Sequence, residues 1–323
     1  MKKYLLPIML IGYAVSAQAA KVPGPLVDSG WLEKNLQNVV ILDVRENVNS
    51  FTANPKIVVD KKTKKKHIVK VGGHIPGAIL VDYKKIRGKQ KVGGLEIDKM
   101  ILGKDAMEKL VRAHGVNQDS AIVITSPGES NLDMTAATRL YWQLKYYGQD
   151  NMAILNGGVA QWLMDGHKVS ISKSAPKTGN WKVTAERNEI LATSDDVAKA
   201  VKDKSVQLVD NRPISQYLGA VYKKSYVYAP GHIPGAKSFP NELLTDAGSP
   251  ARFAAAGKLA DLSQAMGVDT KKTTITYCNS GHLATGGWFY MHEVLGNKNV
   301  KMYDGSMHEW TKEKRPVVSM KME

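Results

Sequence analysis

A chain of 323 residues, 43% hydrophobic and 23% charged, has an ordinary globular composition and is comfortable for two domains. A formal net charge of +15 leaves nucleic acid, anionic surfaces and small anionic substrates open as partners. The chain contains a single cysteine, which excludes an intramolecular disulfide.

In chain order, Lys2 and Lys3 precede an apolar core from Leu5 to Val15 and a small-x-small site at Ala17-Gln18-Ala19. This pattern predicts a secretory signal peptide over 1–19, cleaved after Ala19. The apolar core is too short to span a bilayer, and no cysteine near the site would carry a lipid. The expected location is the periplasm of a Gram-negative bacterium, otherwise secreted, with no stable membrane insertion after signal removal. In an exported protein a lone cysteine is either a buried inert thiol or a reactive group. The run Lys61 to Lys66 is read as a solvated, irregular loop; with no RNA-recognition signature beside it, no nucleic-acid partner is expected.

The remainder is one pattern written twice. Val39 to Arg45 matches Val206 to Arg212, and Gly73-His74-Ile75-Pro76-Gly77-Ala78 matches Gly231-His232-Ile233-Pro234-Gly235-Ala236. Ile122 to Ser126 aligns with Thr274 to Cys278, and Leu155 to Trp162 aligns with Tyr303 to Trp310. In the first copy, helices are predicted at Met107 to Gly115, Thr135 to Tyr147 and Val159 to Met164. Strands are predicted around Ile122 and at Met152 to Leu155. Such alternation predicts an α/β fold in which each copy is a parallel sheet with helices on both faces. The expected division is a first domain over 20–172, a linker with the opening strand of the second copy over 173–187, and a second domain over 188–323. Ser194 is the expected N-cap of a helix running to Val201.

The stretch from Thr273 to Leu295 carries the chemistry. A β-branched strand stops at Cys278, a small-residue loop follows, and a helix is predicted from Ala284 to Leu295, ended by Gly296. Loop amides and a helix N-terminus at the strand end would stabilise a thiolate or an anionic sulfur carried on it. Arg212, Arg45 and Ser126 fall at strand ends as well, where sites form in open α/β sheets.

As a set, these blocks resemble the rhodanese family, specifically its tandem-domain sulfurtransferases. They are Leu208 to Arg212 with Gln216-Tyr217-Leu218-Gly219, the Gly231 to Ala236 block, the Cys278 loop, and Tyr303 to Ser306 with Glu309-Trp310. The resemblance implies that Cys278 takes a sulfane sulfur from an anionic donor as a persulfide and passes it to a thiophilic acceptor. It also implies that the second domain is the catalytic one and that no cofactor is needed. Ser126 stands where the first copy would need a cysteine, in a loop expected to be four residues longer. The first domain is therefore expected to be inactive and to help form the substrate cleft.

By the same resemblance Arg212 binds substrate, its planar fork suiting sulfonate or carboxylate oxygens; the alternative is a structural salt bridge with Asp210. Asn279, Ser280, Gly281, His282 and Leu283 supply the substrate loop, Gly281 permitting an unusual backbone conformation. His282 could bind an anion, move a proton or fill the loop. Thiosulfate is the expected donor, with 3-mercaptopyruvate as the alternative that Ser280 suggests. Cyanide, a small thiol or a thioredoxin-like protein are compatible acceptors. A non-catalytic exported carrier of sulfur, selenium or an oxyanion is a further alternative. A cysteine phosphatase needs an arginine just beyond its cysteine, and the next one after Cys278 is Arg315. No metal site is expected: His74 and His232 have no third ligand at useful spacing and are read, like Trp162 and Trp310, as packing residues.

Overall fold

The computed structural model describes residues 21–320, so the signal peptide expected over 1–19 lies outside the described residues. The first copy runs β1 (Leu26–Val27), α1 (Ser29–Asn35), β2 (Val40–Arg45), β3 (Lys56–Val59), β4 (Lys66–Lys70), β5 (Ile79–Asp82), β6 (Arg87–Val92), β7 (Leu95–Ile101), α2 (Lys104–Ala113), β8 (Ile122–Thr125), α3 (Asn131–Tyr146), β9 (Met152–Leu155) and α4 (Gly158–Met164). The second runs β10 (Leu191–Ala192), α5 (Ser194–Asp203), β11 (Gln207–Asp210), α6 (Ile214–Tyr217), β12 (Lys237–Ser238), α7 (Ala256–Ala265), β13 (Thr274–Tyr277), α8 (Leu283–Trp288), β14 (Val300–Tyr303) and α9 (Ser306–Lys312).

Each copy is one five-stranded sheet, ordered β1-β9-β8-β2-β5 and β10-β14-β13-β11-β12. All pairings within both sheets are parallel. The central strands β8 and β13 are buried along their whole length, as a sheet covered on both faces requires. The two sheets share a strand order, and the copies differ in what is inserted between strands. Only the first carries the antiparallel hairpins β3–β4 and β6–β7.

The repeated motifs do the same packing twice. His74 stacks on Phe51 at 3.7 Å and its Nδ1 bonds the Phe51 carbonyl at 2.9 Å; His232 stacks on Tyr217 at 3.8 Å and its Nδ1 bonds the Tyr217 carbonyl at 2.8 Å. Trp162 and Trp310 are buried, each indole N–H donating to a backbone carbonyl six residues on. One core cluster joins residues of both copies across α3 and α8. α3 is buried on nearly every side, the position of a helix clamped between two layers. Three of its buried polar residues reach the other copy: Thr135 meets His282, Arg139 the Gly281 carbonyl, and the Thr138 hydroxyl that of Thr285 at 2.9 Å.

Several local expectations are corrected. The opening strand placed in 173–187 is absent, and that segment has no regular structure. Trp181 instead packs into the core, its indole donating to Gln149 at 3.0 Å, so the segment is tied to the first copy. Thr193, not Ser194, caps α5: its side chain accepts from the Asp196 amide and the Asp196 carboxylate accepts from its own, a reciprocal capping box. The hydroxyl of Ser194 is spent on Glu313. The lysine run is the turn of the β3–β4 hairpin. The helix expected from Ala284 to Leu295 is α-helical only to Trp288 and continues as a π-helix over Phe289–Val294. There the four consecutive residues Trp288 to Met291 are all buried, more than one face of a regular helix would turn inward.

Candidate active site

Cys278 follows the last residue of β13 and lies five positions before the start of α8. Ser126 lies five positions before α3, so the two loops are equal in length and the expected longer first loop is corrected. The first copy's additional residues lie in α3 itself, 16 residues long.

A serine behind the loop fixes its shape. Ser306 Oγ accepts from the amides of Cys278 at 3.0 Å and Gly281 at 3.2 Å and donates to the Tyr303 carbonyl at 2.8 Å. It lies 4.0 Å from Cys278 Sγ. Ser306 sits at φ +51°, a left-handed conformation that costs a non-glycine residue about 1–2 kcal/mol; the hydrogen bonds offset it. Gly281 is held from the other copy: Arg139 of α3 donates to its carbonyl at 2.8 Å and also pairs with Asp304. The remaining Asp304 oxygen accepts the Ile101 amide at 2.7 Å. Gly281 has φ +68°, and a Cβ there would overlap Asp304 and Arg139, so no other residue fits. Among the described residues, the amides of Asn279, Ser280 and His282 have no protein acceptor. They remain available to an anionic group beside the sulfur.

Cys278 is 1% exposed, yet it lines the floor of a cleft of about 370 Å³ between the copies. The second copy gives the cleft Gln216, Lys223, Tyr226 and the Cys278 loop; the first gives Glu46, Leu132, and Arg87 and Lys99 from the β6–β7 hairpin. Three cations thus face one carboxylate. Arg87 lies over the Tyr83 ring at 4.4 Å, and Lys99 Nζ lies 3.5 Å from the centroid of Tyr226, so aromatic faces hold both cations in place. Partial burial lowers the Lys99 pKa, and the charges of Arg87 and Lys223 push it the same way. That mutual repulsion would be relieved by a bound anion.

Of the residues named from sequence, Cys278, Asn279, Ser280, His282 and Leu283 all line this cleft. The Asn279 side chain donates to Gln216 at 2.7 Å, and Ser280 and Tyr226 line the same cleft. His282 is wedged between the Tyr83 ring, 4.7 Å away, and Thr135 Oγ1, 3.2 Å from its Nε2. Thr135 Oγ1 also lies 3.0 Å from the Asn131 carbonyl and 3.1 Å from that of Leu132; with its one hydrogen given to either, the hydroxyl would accept from Nε2. Removal from water, then Arg87 and Arg139, push its pKa down to about 3. A neutral ring at working pH neither attracts an anion by charge nor supplies a proton readily.

Arg212 takes the alternative role weighed from sequence. It is fully buried, and its fork grips Asp210 through Nε at 2.9 Å and Nη2 at 2.6 Å. Nη2 also donates to the Gly231 carbonyl at 2.8 Å. It is absent from the cleft lining, and its Nη1 has no hydrogen-bond partner among the described residues. The loss of hydration is outweighed by Asp210, Tyr277 and Cys278, which raise its pKa and place its fixed charge within electrostatic reach of the sulfur. Sequence reasoning missed Arg87, Lys99, Lys223, Tyr226 and Gln216 as cleft residues, and Ser306 as the loop's anchor. Ser306 alone had a local signal: it breaks the repeat, standing where the first copy has Gly158.

Residues 28–165 and 193–313 each match the rhodanese-like domain family. A Haloferax volcanii protein named "Putative thiosulfate sulfurtransferase" is 32% identical over 242 residues, covering 73% of this chain and 80% of that protein. The sulfur carrier protein TtuD of Thermus thermophilus is 27% identical over 299 residues, covering 89% and 94%. Among solved structures, the 3-mercaptopyruvate sulfotransferase SseA of Escherichia coli superposes with a TM-score of 0.69 at 25% identity, over 88% of this chain and 98% of that one. With two family matches across most of its length and a cysteine at the end of a central strand, the chain belongs to the rhodanese-like family and is a tandem-domain sulfurtransferase.

Proposed function

We propose that Cys278 carries the transferred sulfur as a persulfide and that the donor is thiosulfate. The observation that carries this reading is that Cys278 lines a cleft together with Arg87, Lys99 and Lys223. The Cys278 thiolate attacks the outer sulfur of thiosulfate. A sulfur–sulfur bond forms to Sγ, the bond within thiosulfate breaks, and its electron pair leaves with sulfite. The three cations hold the sulfonate oxygens, while the free amides of Asn279, Ser280 and His282 stabilise charge on the outer sulfur. In the second half-reaction a nucleophile such as cyanide or a thiol attacks that outer sulfur. The Sγ–S bond breaks and its electrons return to the thiolate, so no cofactor is needed. A small thiol or a thioredoxin-like protein fits the acceptor role.

The second reading, 3-mercaptopyruvate as donor, is favoured by Ser280 beside Tyr226 and by the likeness to SseA. A donor panel separates the two: thiosulfate-to-cyanide transfer is expected to exceed mercaptopyruvate-to-thiol transfer. The reverse order would overturn the donor assignment while leaving sulfur transfer in place. We further infer export, from the residues of 1–19. N-terminal sequencing of the protein recovered outside the cytoplasm should begin after Ala19, and a product retaining Met1 in the cytoplasm would end that reading.

A further inference from the structure

The β3–β4 hairpin plays no part in the cleft, and its surface is unusual. Between Lys56 and Lys70 it carries seven lysines, Lys56, Lys61, Lys62, Lys64, Lys65, Lys66 and Lys70, against the single acid Asp60, and all seven are exposed. Among the described residues none of the seven forms an ion pair. Asp60 is absorbed by the turn, accepting from the amides of Lys62 and Thr63. Amid this charge the strands expose apolar side chains: Val58 is 42% exposed, and Val59 and Val69 are each 55% exposed.

Pleating sorts these residues. Ile57 pairs with Ile68 and Val58 with His67, and alternation puts Ile68 on the face opposite that of His67; Val69 is the extra residue where the register shifts. Ile68 packs on the core of the first copy. Val58 and His67 therefore lie on the outward face, the exposed Val69 stands beside them at the register shift, and the lysine turn closes the hairpin. A solvated loop has no use for outward valines on a strand pair, and a nucleic-acid surface would pair lysines with polar or aromatic groups rather than valines. An apolar strip bordered by lysines matches an anionic lipid surface, where cations meet headgroups and apolar side chains enter the acyl boundary.

We propose that this hairpin docks the protein reversibly on membranes containing anionic phospholipid. The second copy lacks the hairpin, so the docking element is separate from the catalytic one. The surface leaves the Cys278 cleft untouched, and the chain holds to the membrane through one copy while transferring sulfur with the other.

Co-sedimentation of the full chain with phosphatidylcholine vesicles, with and without phosphatidylglycerol, tests this. Binding should appear only with phosphatidylglycerol and weaken as salt rises. Because the whole protein is basic, location is the sharper question. Replacing Lys61, Lys62, Lys64, Lys65 and Lys66 by Glu should weaken vesicle binding at least about tenfold. The same number of changes at Lys199, Lys202, Lys204, Lys271 and Lys272, exposed residues elsewhere, should weaken it far less. Val58→Ser with Val69→Ser should also weaken it, and sulfur transfer should be unchanged in every variant. Equal losses for the two lysine sets would overturn the proposal, as would full binding by the valine variant. So would preferential binding of polynucleotide or of an acidic polypeptide over vesicles.

Discussion

The two copies have one strand order and one loop length, yet only the second places a cysteine in its loop, on the lining of the cleft between the copies. In the first, Ser126 is fully buried with its hydroxyl against Met134 Sδ at 3.7 Å. The second copy covers it: the Ala251 amide donates to the Gly128 carbonyl at 2.9 Å, and the Phe253 amide to the Asn156 side chain at 2.8 Å. Asn156 is the counterpart of Asp304, which accepts the amide of Ile101 from the first copy. Each copy therefore sends a segment to brace the other: Ala251 and Phe253 bond the first copy's loops, whereas the β6–β7 hairpin supplies a wall of the cleft. Position 158 shows the same divergence. A Cβ on Gly158 would overlap the Ser126 carbonyl, while its counterpart Ser306 reaches toward Cys278. The inactivity proposed for the first copy would therefore rest on packing as well as on the Cys-to-Ser difference.

The largest expected effects fall on the sulfur itself. Cys278→Ser should lower sulfur transfer by more than about a thousandfold, while Ser126→Cys should create no second site that takes up sulfur. A protein loaded at both positions would show that cover by the second copy is irrelevant. Next come the buried ion pairs. Arg212→Ala and Arg139→Gln each leave a carboxylate buried and unpaired, and each should cost roughly 3–5 kcal/mol of stability, read by denaturant unfolding. For Arg212, burial against Asp210 makes stability the first quantity that the substitution moves. For Arg139 both contacts leave from Nη1 alone, so Arg139→Lys, whose ammonium can serve the same two acceptors, should retain more stability and more kcat than Arg139→Gln.

Smaller effects are expected at the cleft wall. Arg87→Ala and Lys99→Ala should each raise KM for thiosulfate about tenfold with little change in melting temperature, and the wild-type advantage should shrink as salt rises. A KM unmoved in both would separate the cleft cations from donor binding. The mildest effect is on pH dependence. Burial, followed by Glu313 and Asp304, raises the Glu309 pKa from 4.5 to about 7. The folded state then keeps a proton that the unfolded state releases. The associated stability is fully present below about pH 4.5 and is lost as pH rises to about 7. Glu309→Gln should flatten that decline by roughly 1–3 kcal/mol; an unchanged slope would contradict it.

The features legible in the sequence are those written locally. The duplicated strands, the glycine that ends α2, and the thiol at a strand end follow from β-branched runs and turn residues within a dozen positions. The cleft was not legible, because its chemistry comes from distant segments: Arg87 and Lys99 meet Cys278 only through a hairpin laid across the other copy. Arg139 and Asp304 are 165 positions apart, and nothing near either residue announces the partner. The Arg212 misreading has the same origin. A strand-end arginine two residues after an aspartate can point outward or fold back on it, and only the enclosing Gly231 carbonyl decides.

The central claim is that Cys278 accepts a sulfur atom that Ser126 and its loop cannot. Intact-mass spectrometry of the purified chain after incubation with thiosulfate, without acceptor, tests it most directly. The account predicts a gain of one sulfur atom, mapped to the Cys278 peptide, removed by cyanide and absent in Cys278→Ser. An unmodified Cys278 under conditions in which the protein still transfers sulfur would contradict it.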